Sequence, residues 1–221
     1  MTPITFWFDP ISPYAHLAFE RLPQALEGCS YVVDYRPVLF AGLLQRWGQL
    51  GPAEIGPKRD WTYRQVLWLA HRHGIELQMP AVHPFNPLPL LRLLVACGQG
   101  GLANRHQCEA VLRHVWTGGA VVDEPRRLAE LEARLQPARD PRSDTVKQEL
   151  RANTDAAIAR GVFGVPTLEL PGHGPEAAAP SRLFWGFDAL DMVADGLRGA
   201  EGFEQRWSAA VAVGDGVQRV R

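Results

Sequence analysis

The sequence predicts an α/β fold whose sheet is divided along the chain by a long helical segment. Three observations carry this. Short β-prone runs occur near the two ends, at residues 4–8 and 31–38 and again at 166–170 and 181–185. Between them, from about residue 40 to 156, apolar residues recur at helical spacing only. A last helical pattern follows Asp188, giving the order β-α-β, helical block, β-β-α.

Each element has its own local reason. ITFWF, residues 4–8, is short, apolar and aromatic, as suits a buried strand. A helix is expected from Pro13 to Glu27, with Pro13 in the first turn, where its missing N–H costs nothing, and Gly28 as its stop. Pro23 conflicts with that span, because an interior proline kinks or shortens a helix. Residues 58–73 place Tyr63, Val66, Leu67 and Ala70 on one face and stop at Gly74. Three further faces follow, the first of Leu88, Leu91 and Val95, the second of Cys108, Val111, Leu112 and Val115, the third of Leu128, Leu131 and Leu135. Val146, Leu150, Ala157 and Ile158 continue the series to Gly161, and LQPARDPRSD is the expected polar loop within it. The strands PTLEL and SRLFW are joined by PGHGPEAAAP, longer than the usual hairpin loop of roughly two to five residues. In the last helix Leu190, Val193, Ala194 and Leu197 share a face, with Asp188 as N-cap and Asp191 as a weak capping box. The tail after Gly199 shows little pattern beyond Trp207 and is expected to pack loosely.

This order is that of a thioredoxin-like fold carrying a large all-helical insertion. Residues 1–39 and 157–221 would form the thioredoxin-like domain and residues 40–156 the insertion. The formal net charge of -1 argues against a nucleic-acid-binding surface. No apolar stretch approaches the roughly 20 residues needed to cross a bilayer. MTPITFWFD lacks the features of a signal peptide, so a cytoplasmic protein without membrane attachment is expected. Cys29, Cys97 and Cys108 are widely spaced and form no Cys-x-x-Cys, so both metal binding and dithiol redox chemistry lack their signature. Three reduced thiols are the expectation.

Three places could carry chemistry. Ser12 precedes Pro13 at the first helix, where the N–H groups of a helix start favour an anion and a hydroxyl adds a donor. A simple N-cap would use the same residue. A helix dipole and one charge-assisted hydrogen bond can together lower a thiol pKa, and the thiolate is the reactive species. In GVFGVPT, residues 161–167, a proline opens a strand although it cannot donate to the ladder. Such a proline is commonly trans. In thioredoxin-like proteins, whose order of elements this is, a cis-proline sits here beside the start of the first helix, and the residue before it offers backbone groups to a bound peptide. The resemblance to that fold therefore implies a cis Val165–Pro166 bond beside Ser12. Asp188 in FWGFDALD is a helix cap or, on the same side as Ser12 and Pro166, a grip for an α-ammonium group. A site for a thiol, a peptide-pairing edge and an amino-acid grip together describe a glutathione site.

With those residues in view, the sequence resembles the 2-hydroxychromene-2-carboxylate isomerases and the related kappa-class glutathione transferases, of the DsbA-like branch of the thioredoxin superfamily. FDPISPYAHLA, GPKRDWTYRQVLWLAHRHGI, HPFNPLPLLRLL, GVFGVPT and FWGFDALDMV carry the resemblance, over about residues 4 to 198. It implies that Ser12 hydrogen-bonds the glutathione sulfur and favours its thiolate. It implies that Val165, ahead of Pro166, pairs with the cysteinyl backbone, and that Phe187 and Asp188 hold the γ-glutamyl end. Lys58 and Asn86 are implicated near the ligand, though Lys58 also fits a solvated helix start and Asn86 an N-cap. The implied reaction is reversible addition of the glutathione thiolate to a small unsaturated aromatic carboxylate, rotation, and release of glutathione unchanged, in a homodimer. Trp7, Tyr14 and Trp47 would suit either an aromatic wall or the core.

Three positions depart from the family pattern. His16 stands where Tyr is usual and is expected at the helix surface or the pocket edge. Phe187 replaces a small or polar residue, and Ala189 replaces Arg, removing a charge near the γ-glutamyl end. A transferase forming a stable conjugate and a non-catalytic ligand-binding member are the alternative readings. A disulfide oxidoreductase is disfavoured by the absence of cysteine at residues 12 and 15.

Overall fold

The computed structural model describes residues 1–98, 100–172 and 180–210. Most of the PGHGPEAAAP segment expected as a hairpin loop lies outside the described residues. Four strands form one mixed sheet, β1 (Thr2–Phe8), β2 (Tyr31–Pro37), β3 (Thr167–Leu170) and β4 (Arg182–Trp185), in the order β2-β1-β3-β4. β1 runs parallel to β2 and antiparallel to β3, and β4 returns antiparallel to β3. β1 reads as a continuous apolar run because it is central. Ile4, Phe6 and Phe8 enter the main core, while Trp7, pointing the opposite way, packs with Val38, Leu43, Val162 and Val165.

α1 (Pro13–Ala25) connects β1 to β2. Pro23 lies in its last turn, so the helix closes two residues later and short of Glu27, and Gly28 takes a positive φ of 79°. The helical block contains α2 (Phe40–Trp47), α3 (Gly56–His73), α4 (Leu88–Cys97), α5 (Arg105–Trp116), α6 (Pro125–Leu135) and α7 (Asp144–Ala159). α7 continues unbroken across residues 156 and 157. The polar loop before α7 is braced, with Arg139 donating to Glu149 at 2.5 Å and to the carbonyls of Val95 and Gly98 at 2.6 and 2.8 Å.

The C-terminal region corrects two expectations. Asp188 is not the N-cap of the next helix. Phe187–Ala189 forms a 3₁₀ turn, and α8 (Leu190–Arg198) begins from Ala189 with no side-chain cap. Within the tail after Gly199, Phe203–Ala210 forms a helix, α9, while residues 211–221 lie outside the described residues. Its rings reach the sheet, with Trp207 4.7 Å and Phe203 6.3 Å from Phe184 between centroids, and Glu204 pairs with Arg182. The sequence hid this because the apolar positions on α9 are too few to mark a face.

Candidate functional site

β1 delivers the chain to a turn, Asp9-Pro10-Ile11-Ser12, in which each backbone polar group from the Asp9 carbonyl to the Ser12 carbonyl has a partner. The Ser12 N–H donates to the Asp9 carbonyl at 3.0 Å, and the Ser12 carbonyl receives the Ala15 and His16 N–H groups. Trp116 Nε1 donates to the Pro10 carbonyl at 2.9 Å, and His83 Nε2 to the Ile11 carbonyl at 2.8 Å. The Asp9 carboxylate accepts from Ile11 N and Phe40 N, both at 3.0 Å, tying the turn to the start of α2. Burial pushes the Asp9 carboxyl up to about 7, against the lowering effect of those two N–H groups.

Ser12 caps α1, its Oγ accepting from Ala15 N at 3.3 Å and donating to the Val165 carbonyl at 3.2 Å. Those backbone groups are its side-chain partners among the described residues, so no base is in place to make it a nucleophile. It is arranged as a donor at a helix N-terminus. The Val165–Pro166 bond is cis, as expected from the sequence, and the His83–Pro84 bond is cis as well. Val165 is buried, and among the described residues its N–H meets no acceptor. An orphaned N–H beside a buried hydroxyl is a place for a ligand carbonyl.

The Pro166 carbonyl receives the Gly186 N–H at 2.9 Å, which brings the Phe187–Ala189 turn to the same place. Gly186 holds φ at 100°, and a Cβ there would sit 2.5 Å from Asp188 Oδ1, so only glycine fits this turn. Asp188 is exposed, and its charge acts on the Tyr14 hydroxyl. Tyr14 donates to Gln65 Oε1 at 2.6 Å, joining α1 to α3, and burial foremost raises its pKa. Lys58 is exposed in the first turn of α3. Asn86 is exposed, and its Oδ1 accepts from Leu88 N at 3.1 Å, so it caps α4 from one position before the geometric N-cap, Pro87. Ser12, Val165, Pro166 and the 187–188 turn thus come together. Among the described residues neither Lys58 nor Asn86 makes a hydrogen bond to that cluster.

Two of the three departures change meaning here. Phe187 turns its ring into the core, edge-on to His73 at 5.2 Å and under the Arg21 guanidinium at 6.0 Å, and is 7% exposed. The ring therefore packs between α1 and α3. His16 is fully buried rather than at a surface or pocket edge. Its Nε2 donates to the Glu76 carbonyl at 2.9 Å, Nδ1 has no partner among the described residues, and burial holds its pKa below the ordinary imidazole value. Of the candidate aromatic walls, Trp7 is core, donating to Glu169 at 2.9 Å, and Tyr14 is half-buried. Trp47 is exposed and donates to the Val162 carbonyl at 2.9 Å.

The chain's own thiols lie apart from this chemistry. Cys108 is buried on the α5 face, its pKa raised by burial, and burial pushes the Cys97 thiol up to about 11. Cys29 sits beside Ser30, which pairs with the start of β1, the opposite end from Ser12. The sequence reading missed the partners that hold the turn, namely Asp9, His83 with Tyr63, and Trp116. Asp9 and His83 lay inside the quoted motifs, but only the fold reveals what they touch.

Residues 3–198 match the family model described as the DSBA-like thioredoxin domain. The chain is 29% identical over 212 residues to "Glutathione s-transferase kappa 2" of Caenorhabditis elegans, covering 88% of this chain and 91% of that protein. It is 27% identical over 204 residues to "2-hydroxychromene-2-carboxylate isomerase" of Pseudomonas sp. (strain C18), covering 89% and 91% respectively. A solved structure of 2-hydroxychromene-2-carboxylate isomerase superposes with a TM-score of 0.70 at 24% identity, covering 96% of this chain and 100% of that one, which shows the shared fold.

Proposed function

We propose that this chain, which belongs to the DSBA-like thioredoxin domain family, is a glutathione-dependent isomerase of small unsaturated aromatic carboxylates. The observation that carries this reading is the Ser12 hydroxyl, buried at the start of α1 and bonded only to backbone among the described residues. Among the described residues it has no base to make it a nucleophile, and the thiols at residues 29, 97 and 108 lie elsewhere. A site built to favour a thiolate, with no sulfur of its own, calls for a thiol from outside.

The residues fit glutathione as that thiol. The free Val165 N–H and its carbonyl would pair with the cysteinyl backbone in strand fashion. As the ligand's N–H takes over the Val165 carbonyl, the Ser12 hydroxyl is released to turn toward the sulfur. Exposed Asp188 and the backbone of Phe187 would take the γ-glutamyl end, and Lys58 and Asn86, from the 40–156 insertion, would border the ligand. When bound, glutathione supplies a sulfur nucleophile that is regenerated. In this reading the thioredoxin-like unit, residues 1–39 and 157–221, contributes the sulfur-facing groups, and the protein works as a cytoplasmic homodimer.

A second reading, a kappa-like transferase, is favoured by the 29% identity to the Caenorhabditis elegans protein. Incubating the protein with glutathione and 2-hydroxychromene-2-carboxylate separates the two. Isomerisation leaves free thiol constant, and conjugation consumes it. If neither product nor thiol changes and calorimetry detects no glutathione binding, a non-catalytic ligand-binding member is the remaining reading.

A further inference from the structure

His83 belongs to a motif, HPFNP, whose first residue the proposed reaction leaves unused. Its Nε2 faces the Ile11 carbonyl at 2.8 Å, and a carbonyl only accepts, so Nε2 must carry the proton. Burial holds the His83 pKa below the ordinary imidazole value, keeping the ring neutral. Nδ1 is then a bare acceptor, and it lies 2.8 Å from the Tyr63 hydroxyl on α3. The same single hydroxyl proton also lies within reach of the His83 carbonyl, at 3.1 Å, so the two acceptors compete for it and Nδ1 is the nearer. The ring is boxed by Tyr63, Trp116 and Phe85, with centroids 5.5, 5.5 and 6.0 Å away. Trp116, part of that box, holds the neighbouring Pro10 carbonyl.

The geometry points to His83 as a positioning residue, locked by Tyr63 as the Nε2–H tautomer, that fixes the Ile11–Ser12 peptide and thereby aims the Ser12 hydroxyl. This rests on the reading of Ser12 as the donor to a thiolate. The Ile11 carbonyl belongs to the same peptide plane as the Ser12 N–H, so a swing of that carbonyl rotates the residue that carries Oγ. Two ring donors, on buried Trp116 and half-buried His83, hold successive carbonyls of the turn. His83 differs from Trp116 in needing a second residue, Tyr63, to present its donor.

The test uses Tyr63→Phe, His83→Phe and His83→Gln in the full chain, with two readouts. The first is amide hydrogen exchange at Ile11 and Ser12 without glutathione. His83→Phe should speed it about tenfold, the effect of one lost hydrogen bond. Tyr63→Phe should give a smaller increase. His83→Gln, whose amide can donate, should restore most of the protection. The second is isomerisation, where His83→Phe should lower kcat about tenfold with the KM for glutathione unchanged, and Gln should rescue it. Unchanged exchange in both His83→Phe and Tyr63→Phe would overturn the assignment. So would an equal loss in His83→Gln and His83→Phe, which would mark the ring as packing only. If wild-type protein fails to bind glutathione while exchange follows the expected order, the positioning role stands and the glutathione reading alone falls.

Discussion

The Ser12 hydroxyl donates to the Val165 carbonyl across 3.2 Å, joining the start of α1 to the cis-proline turn 153 residues away. Each group satisfies the other, and in the proposed reading a ligand with its own N–H and an anion displaces both.

Asp188 is exposed and projects from a turn that only Gly186 allows. Asp188→Asn should therefore leave the melting temperature unchanged while weakening glutathione binding about tenfold, the worth of one charge-assisted contact. Calorimetry checks both the affinity and the enthalpy of that contact. An unaltered Kd would remove Asp188 from the ligand's path.

Phe187 packs in the core, so its substitution is a stability experiment rather than a pocket experiment. Phe187→Ala should cost about 3 kcal/mol by cavity formation, read from urea denaturation. Phe187→Leu should cost less and leave glutathione affinity within about twofold. A gain in affinity from the smaller side chain would show that the ring does obstruct the ligand.

Asp9 makes stability depend on pH in a defined direction. Its carboxyl rises from an ordinary 3.8 to about 7 in the folded protein, so between those values the native state keeps a proton that the unfolded chain has lost. This group's contribution to stability is therefore full below about pH 4 and is lost as pH rises to about 7. The histidines held below their ordinary pKa, His16 and His83 among them, slope the opposite way. Comparing wild type with Asp9→Asn isolates Asp9. Relative to wild type, the variant should gain stability as pH is raised from about 5 to about 8. Parallel pH profiles of the two proteins would place the titration elsewhere.

Trp207 and Phe203 cover Phe184 on the sheet. Trp207→Ala should destabilise the fold by about 2 kcal/mol without changing kcat, since it lies on α9 rather than at the Ser12 turn. Thermal unfolding measured beside turnover separates the two effects.

Much of this arrangement was legible in the residues themselves. Ser12, Pro13 and the apolar run before them give a strand-to-helix turn by local rules, and the spacing of Val66 and Ala70 or Val111 and Val115 gives helices. The Val165–Pro166 turn was legible through the order of elements. What escaped were facts set by distant partners. His16 looks like a polar helix-surface residue until the Glu76 carbonyl arrives to receive its N–H. Phe187 was placed correctly in the chain, but its ring direction depends on the gap between Arg21 and His73. Asp188 was expected to cap a helix that instead starts after a 3₁₀ turn, because Gly186 sets the backbone before it. α9 has too few apolar positions to announce itself, and its rings become readable only against Phe184.

The most direct measurement titrates the ultraviolet thiolate absorbance of glutathione bound to wild-type protein and to Ser12→Ala. Wild-type protein should hold the bound thiol's pKa well below the free value of about 8.5. In Ser12→Ala the pKa should return most of the way toward it, with turnover falling about 100-fold as for loss of a single anion-stabilising donor. The same depressed pKa in both proteins, or no depression in wild type, would contradict the role of Ser12.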